Sequence, residues 1–141
     1  LFQPEALLEL VDGLKDWGYR VEVETNGTLP KPVWYTKVDS WVADIKCPSS
    51  GVASLVDNWF DMRVTDQIKL VVGTPEDLEY AREVINQKRT RSPKVLVSPV
   101  VPLSLDIDRK WLQEVWTFCV EEKVRFSLQI HKIAWENKKG V

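Results

Sequence analysis

The strongest constraint on this chain is its repeated switch between two hydrophobic periods. Tyr19 to Glu24 alternates Tyr-Arg-Val-Glu-Val-Glu and runs into Thr25-Asn26-Gly27, the pattern of a strand ending in a turn. Trp41 to Lys46, Gln67 to Val72, Lys94 to Val97 and Val124 to Ile130 read as further strands, rich in β-branched residues and bounded by prolines, glycines or charges. Between them lie segments of helical period. Leu7, Leu8, Val11 and Leu14 form a stripe that starts after Pro4 and closes at Gly18, and Val52 to Phe60 forms a weaker helical segment. Thr74-Pro75-Glu76-Asp77 supplies an N-cap, a first-turn proline and two acids ahead of Leu78, Ala81, Val84 and Ile85. Asp106 or Asp108 caps a last helix bearing Leu112, Val115, Trp116, Cys119 and Val120.

Strands alternating with helices, several of them apolar almost throughout, predict an α/β fold with a mainly parallel sheet and flanking helices. Such a set of five strands does not close a barrel of eight, which leaves an open doubly wound sheet or part of a partial (β/α) barrel. Both place an active site at the carboxyl ends of the strands.

A length of 141 residues, 44% of them hydrophobic, suits one domain spanning 1–141, with a polar, irregular tail expected over 133–141. The net charge of -2 gives no global field to attract nucleic acid. The short basic clusters at Gln87-Lys88-Arg89-Thr90-Arg91 and Lys138-Lys139 read as solvated faces. Cys47 and Cys119 are far apart, which argues against a secreted disulfide framework and favours a cytoplasmic protein. No apolar run approaches the roughly 18 residues of a membrane span. The chain opens without methionine, directly into helix-forming sequence, and so reads as the middle of a longer protein.

Polar residues collect where the strands end: Glu24, Thr25 and Asn26; Asp44 and Lys46; Ser98; and Gln129, His131 and Lys132. A carboxylate such as Glu24 accepts hydrogen bonds from the N–H groups of a heterocycle or from ribose hydroxyls. His131, Lys132 and Lys46 add donors and positive charge suited to a carboxylate-bearing substrate. A rim of this kind also solvates any sheet end, so a noncatalytic α/β binding module remains an alternative. Motifs for dinucleotide binding, a P-loop, a nucleophile elbow or a zincin helix are absent. Trp111 and Trp116 fall on the last helix, in the core or at an interface.

The series Glu24-Thr25-Asn26-Gly27-Thr28, Asp44-Ile45-Lys46-Cys47-Pro48-Ser49-Ser50-Gly51, Ile68-Lys69-Leu70-Val71-Val72 and the ending Ser127 to Val141 resembles the 7-carboxy-7-deazaguanine synthases of the radical S-adenosylmethionine superfamily. The Lys-x-Pro-Ser-Ser-Gly loop and the Trp-x-Asn-Lys-x-Gly-Val tail are its most specific parts, whereas Glu-Thr-Asn-Gly is shared with glycyl-radical-enzyme activases, a second alternative.

The resemblance implies a partial (β/α) barrel, usually homodimeric, that uses S-adenosylmethionine, a [4Fe-4S] cluster and Mg²⁺. It implies radical ring contraction of 6-carboxy-5,6,7,8-tetrahydropterin to 7-carboxy-7-deazaguanine, a step toward queuosine-type nucleosides. By the same resemblance Glu24, Thr25, Asn26, His131 and Lys132 are expected to contact the pterin, and Asp44, Lys46 and Ser98 to approach S-adenosylmethionine. Asp44 and Ser98 depart from the serine and glutamine that many members carry there. The C-x-x-x-C-x-x-C loop that ligates the cluster does not occur in these 141 residues, so this polypeptide alone is expected to be inactive. Trp135 and the tail are expected to fold over the pocket or to reach a partner subunit.

Overall fold

A computed structural model describes residues 4–52, 59, 61–88, 94–102, 108–135 and 138. Its elements run in the order α1 (Pro4–Asp16), β1 (Glu22–Thr25), β2 (Ser40–Lys46), β3 (Gln67–Val72), α2 (Pro75–Lys88), β4 (Lys94–Pro99), α3 (Arg109–Glu122), β5 (Arg125–Phe126) and α4 (Ile130–Trp135). The five strands form one sheet in the order β1-β2-β3-β4-β5, every pair parallel. This is the α/β class read from the sequence. The order never reverses, so the arrangement is an arc of a (β/α) barrel rather than a doubly wound sheet with a switch point.

Helix ends follow local chemistry. Gly18 adopts φ 80° behind α1 and lets the amide of Tyr19 return to the carbonyl of Leu14, closing the helix with a left-handed turn. Asp108 caps α3 by accepting from the amide of Lys110, as one of the two aspartates was expected to do; Asp106 lies outside the described residues. Lys123, at φ 57°, ends the same helix.

One core forms on a single face of the sheet. Trp41, Ala43 and Ile45 of β2, Ile68, Leu70 and Val72 of β3 and Val95 and Val97 of β4 are buried there with Val11 of α1, Leu78, Ala81, Val84 and Ile85 of α2, and Val115, Phe118 and Cys119 of α3. Because side chains alternate along a strand, the intervening residues stand on the opposite face. The register sets them in rows: Glu24, Val42, Gln67 and Lys94; then Asp44, Lys69, Leu96 and Arg125; then Lys46, Val71 and Ser98. This open face is the polar one.

Three expectations change. The first strand begins at Glu22, because Tyr19 is engaged in closing α1. The last strand covers only Arg125–Phe126, not Val124 to Ile130: after Ser127 donates to Val97, the facing residue of β4 is Pro99, which has no amide hydrogen to continue the ladder. The chain then turns into α4, so 133–135 of the expected irregular tail are helical. Most of the weaker segment from Val52 to Phe60, the cluster around Arg89 and most of the tail lie outside the described residues. Of the helix tryptophans, Trp111 packs against the core, while Trp116 is exposed and lies edge-on to Phe126 at 5.4 Å. Among the described residues no helix is long and apolar enough to cross a membrane.

Candidate functional site

The parallel sheet brings its strand ends to one rim, where two clefts open. The larger, about 500 Å³, is lined by Asp44, Lys46, Ser49, Thr74, Gln129 and Lys132, among others. The smaller, about 170 Å³, is lined by Glu24, Thr25, Asn26, Val42, Asp44 and Lys69. Asp44 borders both. Its Oδ2 accepts from Lys46 Nζ at 2.5 Å, while Oδ1 is buried and has no partner among the described residues. Ser98 Oγ and Gln129 Oε1 are likewise buried without partners there. Buried polar atoms ordinarily find a hydrogen bond, so unpaired ones at a rim mark where a ligand or water belongs.

The sequence-derived residues divide by what the fold does with them. Glu24 and Asp44 share the open face, and Lys46 and Ser98 occupy one row on it, two strands apart, roughly 10 Å by the usual strand spacing. Ser98 is fully buried and lines neither cleft. Thr25 points to the helix side, in register with Ala43, but sits at the mouth of the smaller cleft and takes a 3.3 Å bond from the amide of Gly27. Asn26 uses its side-chain oxygen locally, accepting from the amide and the hydroxyl of Thr28 at 3.2 and 2.8 Å. This Asx-type turn shapes the loop. Lys132 reaches the larger cleft; His131, its neighbour on α4, is exposed and borders neither.

Of two further polar cleft residues, Lys69 was not placed at the rim by the sequence reading and Gln129 was placed there without an assigned role. Lys69 stands mid-strand, in register with Asp44, and its signal was the polar alternation of Gln67 and Lys69 within an apolar run. Gln129 was visible as one of the polar residues expected at the end of the last strand.

Burial pushes the Cys47 thiol up to about 12, with the carboxylates of Asp77 and Asp44 adding to the effect. Burial likewise raises Cys119 to about 11. A thiol held so far above neutrality is a poor nucleophile and a poor metal ligand, since both roles need the thiolate.

No family model matches the chain. Curated relatives do. A protein of Methanospirillum hungatei named 7-carboxy-7-deazaguanine synthase is 34% identical over 94% of this chain and 53% of its own length. Proteins of the same name from Koribacter versatilis and Hyperthermus butylicus are 29% and 27% identical over 100% and 93% of this chain, and 68% and 60% of theirs. The chain thus spans about half to two thirds of the length of these relatives. Similarity that extends along nearly all of these residues, and returns the same name in each case, supports the 7-carboxy-7-deazaguanine synthase family for this chain.

Proposed function

We propose that these residues form the substrate-facing, carboxy-proximal part of an enzyme that converts 6-carboxy-5,6,7,8-tetrahydropterin to 7-carboxy-7-deazaguanine with loss of ammonia. The observation that carries this reading is Asp44, which borders both clefts and keeps one buried carboxylate oxygen unpaired among the described residues. One cleft then receives the pterin, near Glu24 and Lys69, and the other S-adenosylmethionine, near Lys46, Gln129 and Lys132.

The residues suit such ligands. Glu24 and Asp44 accept from the ring and exocyclic N–H groups of a pterin or from ribose hydroxyls and an amine, while Lys46, Lys69 and Lys132 offer charge to carboxylates. His131 is assigned to the substrate by family resemblance alone. S-adenosylmethionine on a reduced [4Fe-4S] cluster supplies hydrogen-atom abstraction when bound. The chain's own part is to hold substrate and cofactor side by side and to keep water out.

The described residues do not suit the cluster, because Cys47 and Cys119 are buried and burial pushes both thiols up; nor do they hold a group of three or more side chains able to bind a metal ion. We therefore assign the cluster and Mg²⁺ to other parts of a cytoplasmic, homodimeric parent enzyme, and expect these 141 residues alone to be inactive.

Titrating the full-length protein with the carboxypterin and with S-adenosylmethionine tests the reading. Binding of both, with the pterin affinity weakened by Glu24→Ala and the S-adenosylmethionine affinity by Lys46→Ala, is expected; no binding of the pterin would overturn it. Formation of 5′-deoxyadenosine by the isolated 141 residues after anaerobic reconstitution would refute the assignment of the cluster elsewhere.

A further inference from the structure

Two stretches distant in sequence help to wall the larger cleft, the turn at Pro48–Ser50 after β2 and the Gly73-Thr74 link after β3, and the start of α2 is hydrogen-bonded to both. They meet at one side chain. Asp77, fully buried in the first turn of α2, accepts from the amide of Ser49 at 2.9 Å and its hydroxyl at 2.5 Å, from the amide of Gly73 at 2.7 Å and from the amide of Thr74 at 3.2 Å. Ordinary helix capping accounts for only part of this. The reciprocal contact, in which the Asp77 amide reaches Thr74 Oγ1 at 3.4 Å, is the capping-box pattern, but the two bonds to Ser49 cross to another strand end.

Gly73 supplies an independent sign that this junction is built to close tolerance. A Cβ placed there would stand 3.3 Å from Ser49 Oγ and 3.3 Å from a methyl of Val100, so a side chain would push on the Ser49 turn. Burial drives the Asp77 carboxyl up, yet the Ser49 hydroxyl and the surrounding amides outweigh it and hold the group below its ordinary value.

We propose that Asp77 is a positioning residue for the larger cleft, holding the Ser49 turn against the β3–α2 junction so that the cleft wall is preformed before a ligand arrives. The inference concerns the role of the cleft as an S-adenosylmethionine site only in its second consequence, and there it rests on the function proposed above. A preformed wall removes the ordering cost that a loose loop would add to binding.

Amide hydrogen exchange on the full-length protein separates positioning from capping, because Asp77 is the recorded acceptor of the Ser49 amide. In Asp77→Asn, which keeps the shape but places an NH₂ group among N–H donors, the Ser49 amide is expected to exchange about tenfold faster while core amides such as Leu70 hold their rates. Thr74→Ala removes the capping hydroxyl and not the Ser49 contact, and is expected to leave the Ser49 amide slow. Similar Ser49 rates in both variants would reduce Asp77 to a helix cap and overturn the proposal.

Should Asp77→Asn fail to fold, Ser49→Ala, which deletes only the hydroxyl bond, is expected to speed exchange of its own amide severalfold; an unchanged rate would overturn the proposal equally. A second arm measures the affinity for S-adenosylmethionine, expected to fall about tenfold in Asp77→Asn with no change in carboxypterin affinity. Wild-type affinity in that variant would remove the binding consequence and with it the positioning role. If the wild-type protein binds no S-adenosylmethionine, the functional reading of the cleft fails, and the exchange arm still decides the role of Asp77.

Discussion

Lys46 and Asp44, two positions apart on β2 and therefore on one face, form an ion pair of 2.5 Å through Asp44 Oδ2, and this leaves Asp44 Oδ1 buried and unpaired among the described residues. Asp44 itself lines both clefts. Asp44→Ala is expected to weaken S-adenosylmethionine binding by about tenfold, the effect of losing one charged hydrogen bond worth about 1.5 kcal/mol. The urea midpoint should move little, because the pair is partly exposed. Calorimetric titration beside an unfolding curve checks both, and wild-type affinity would count against Asp44 as a ligand contact.

Gly27 follows Asn26 with φ 70°, and a Cβ there would stand 3.1 Å from the carbonyl oxygen of Asp44. Gly27→Ala thus meets two penalties, a left-handed backbone costing roughly 1–2 kcal/mol and a steric push on β2. A loss of about 2 kcal/mol in unfolding free energy is expected, together with weaker carboxypterin binding, since the displaced strand carries Asp44. Chemical denaturation and a pterin titration on the same preparation provide the comparison.

At the opposite ends of the strands, Asp66 is fully buried and accepts from Arg63 Nη2 at 2.9 Å, from the amide of Trp41 at 3.0 Å and from the hydroxyl of Tyr35. Burial raises its pKa, but the bonds from Arg63, Tyr35 and the backbone win and leave it below the ordinary value of 3.8. A carboxyl depressed in the folded state stabilises fully above its unfolded pKa, and that contribution is lost as pH falls through the folded value. Stability is therefore expected to decline below about pH 4. Asp66→Asn should cost about 3 kcal/mol near neutrality and flatten that acid limb, as urea midpoints measured across pH will reveal.

The thiols of Cys47 and Cys119, raised to about 12 and about 11, are expected to resist alkylation by iodoacetamide at pH 8 in the folded protein and to react fully in urea. Mass spectrometry of the two states checks this. Rapid native modification of Cys47 would show that the interior beside Asp44 opens far more readily than its packing implies.

Legibility in the sequence followed the range of the interaction. Thr74, Pro75 and Asp108 announced α2 and α3 because capping acts within one helical turn. Glu24, Asp44 and Lys46 were legible as candidate site residues, and each lines a cleft, because parallel strands place their carboxyl ends at a common rim. Lys69 escaped notice, since its relation to Asp44 is a matter of register between β2 and β3. His131 was read as the residue after a strand, and a short helix instead carries it to the surface.

The sequence by itself determined the α/β class, the positions of the main helices and most strands, and the likeness to the family, all of which depend on periodicity, caps and local motifs. Only the tertiary structure decided that the strand order runs without reversal, that Pro99 cuts the last strand short, and that Asp44 borders two clefts at once. It also decided that Asp77 serves Ser49 as well as its own helix. Those relations join residues up to tens of positions apart, and their energies exist only once the strands are in register and the core has excluded water.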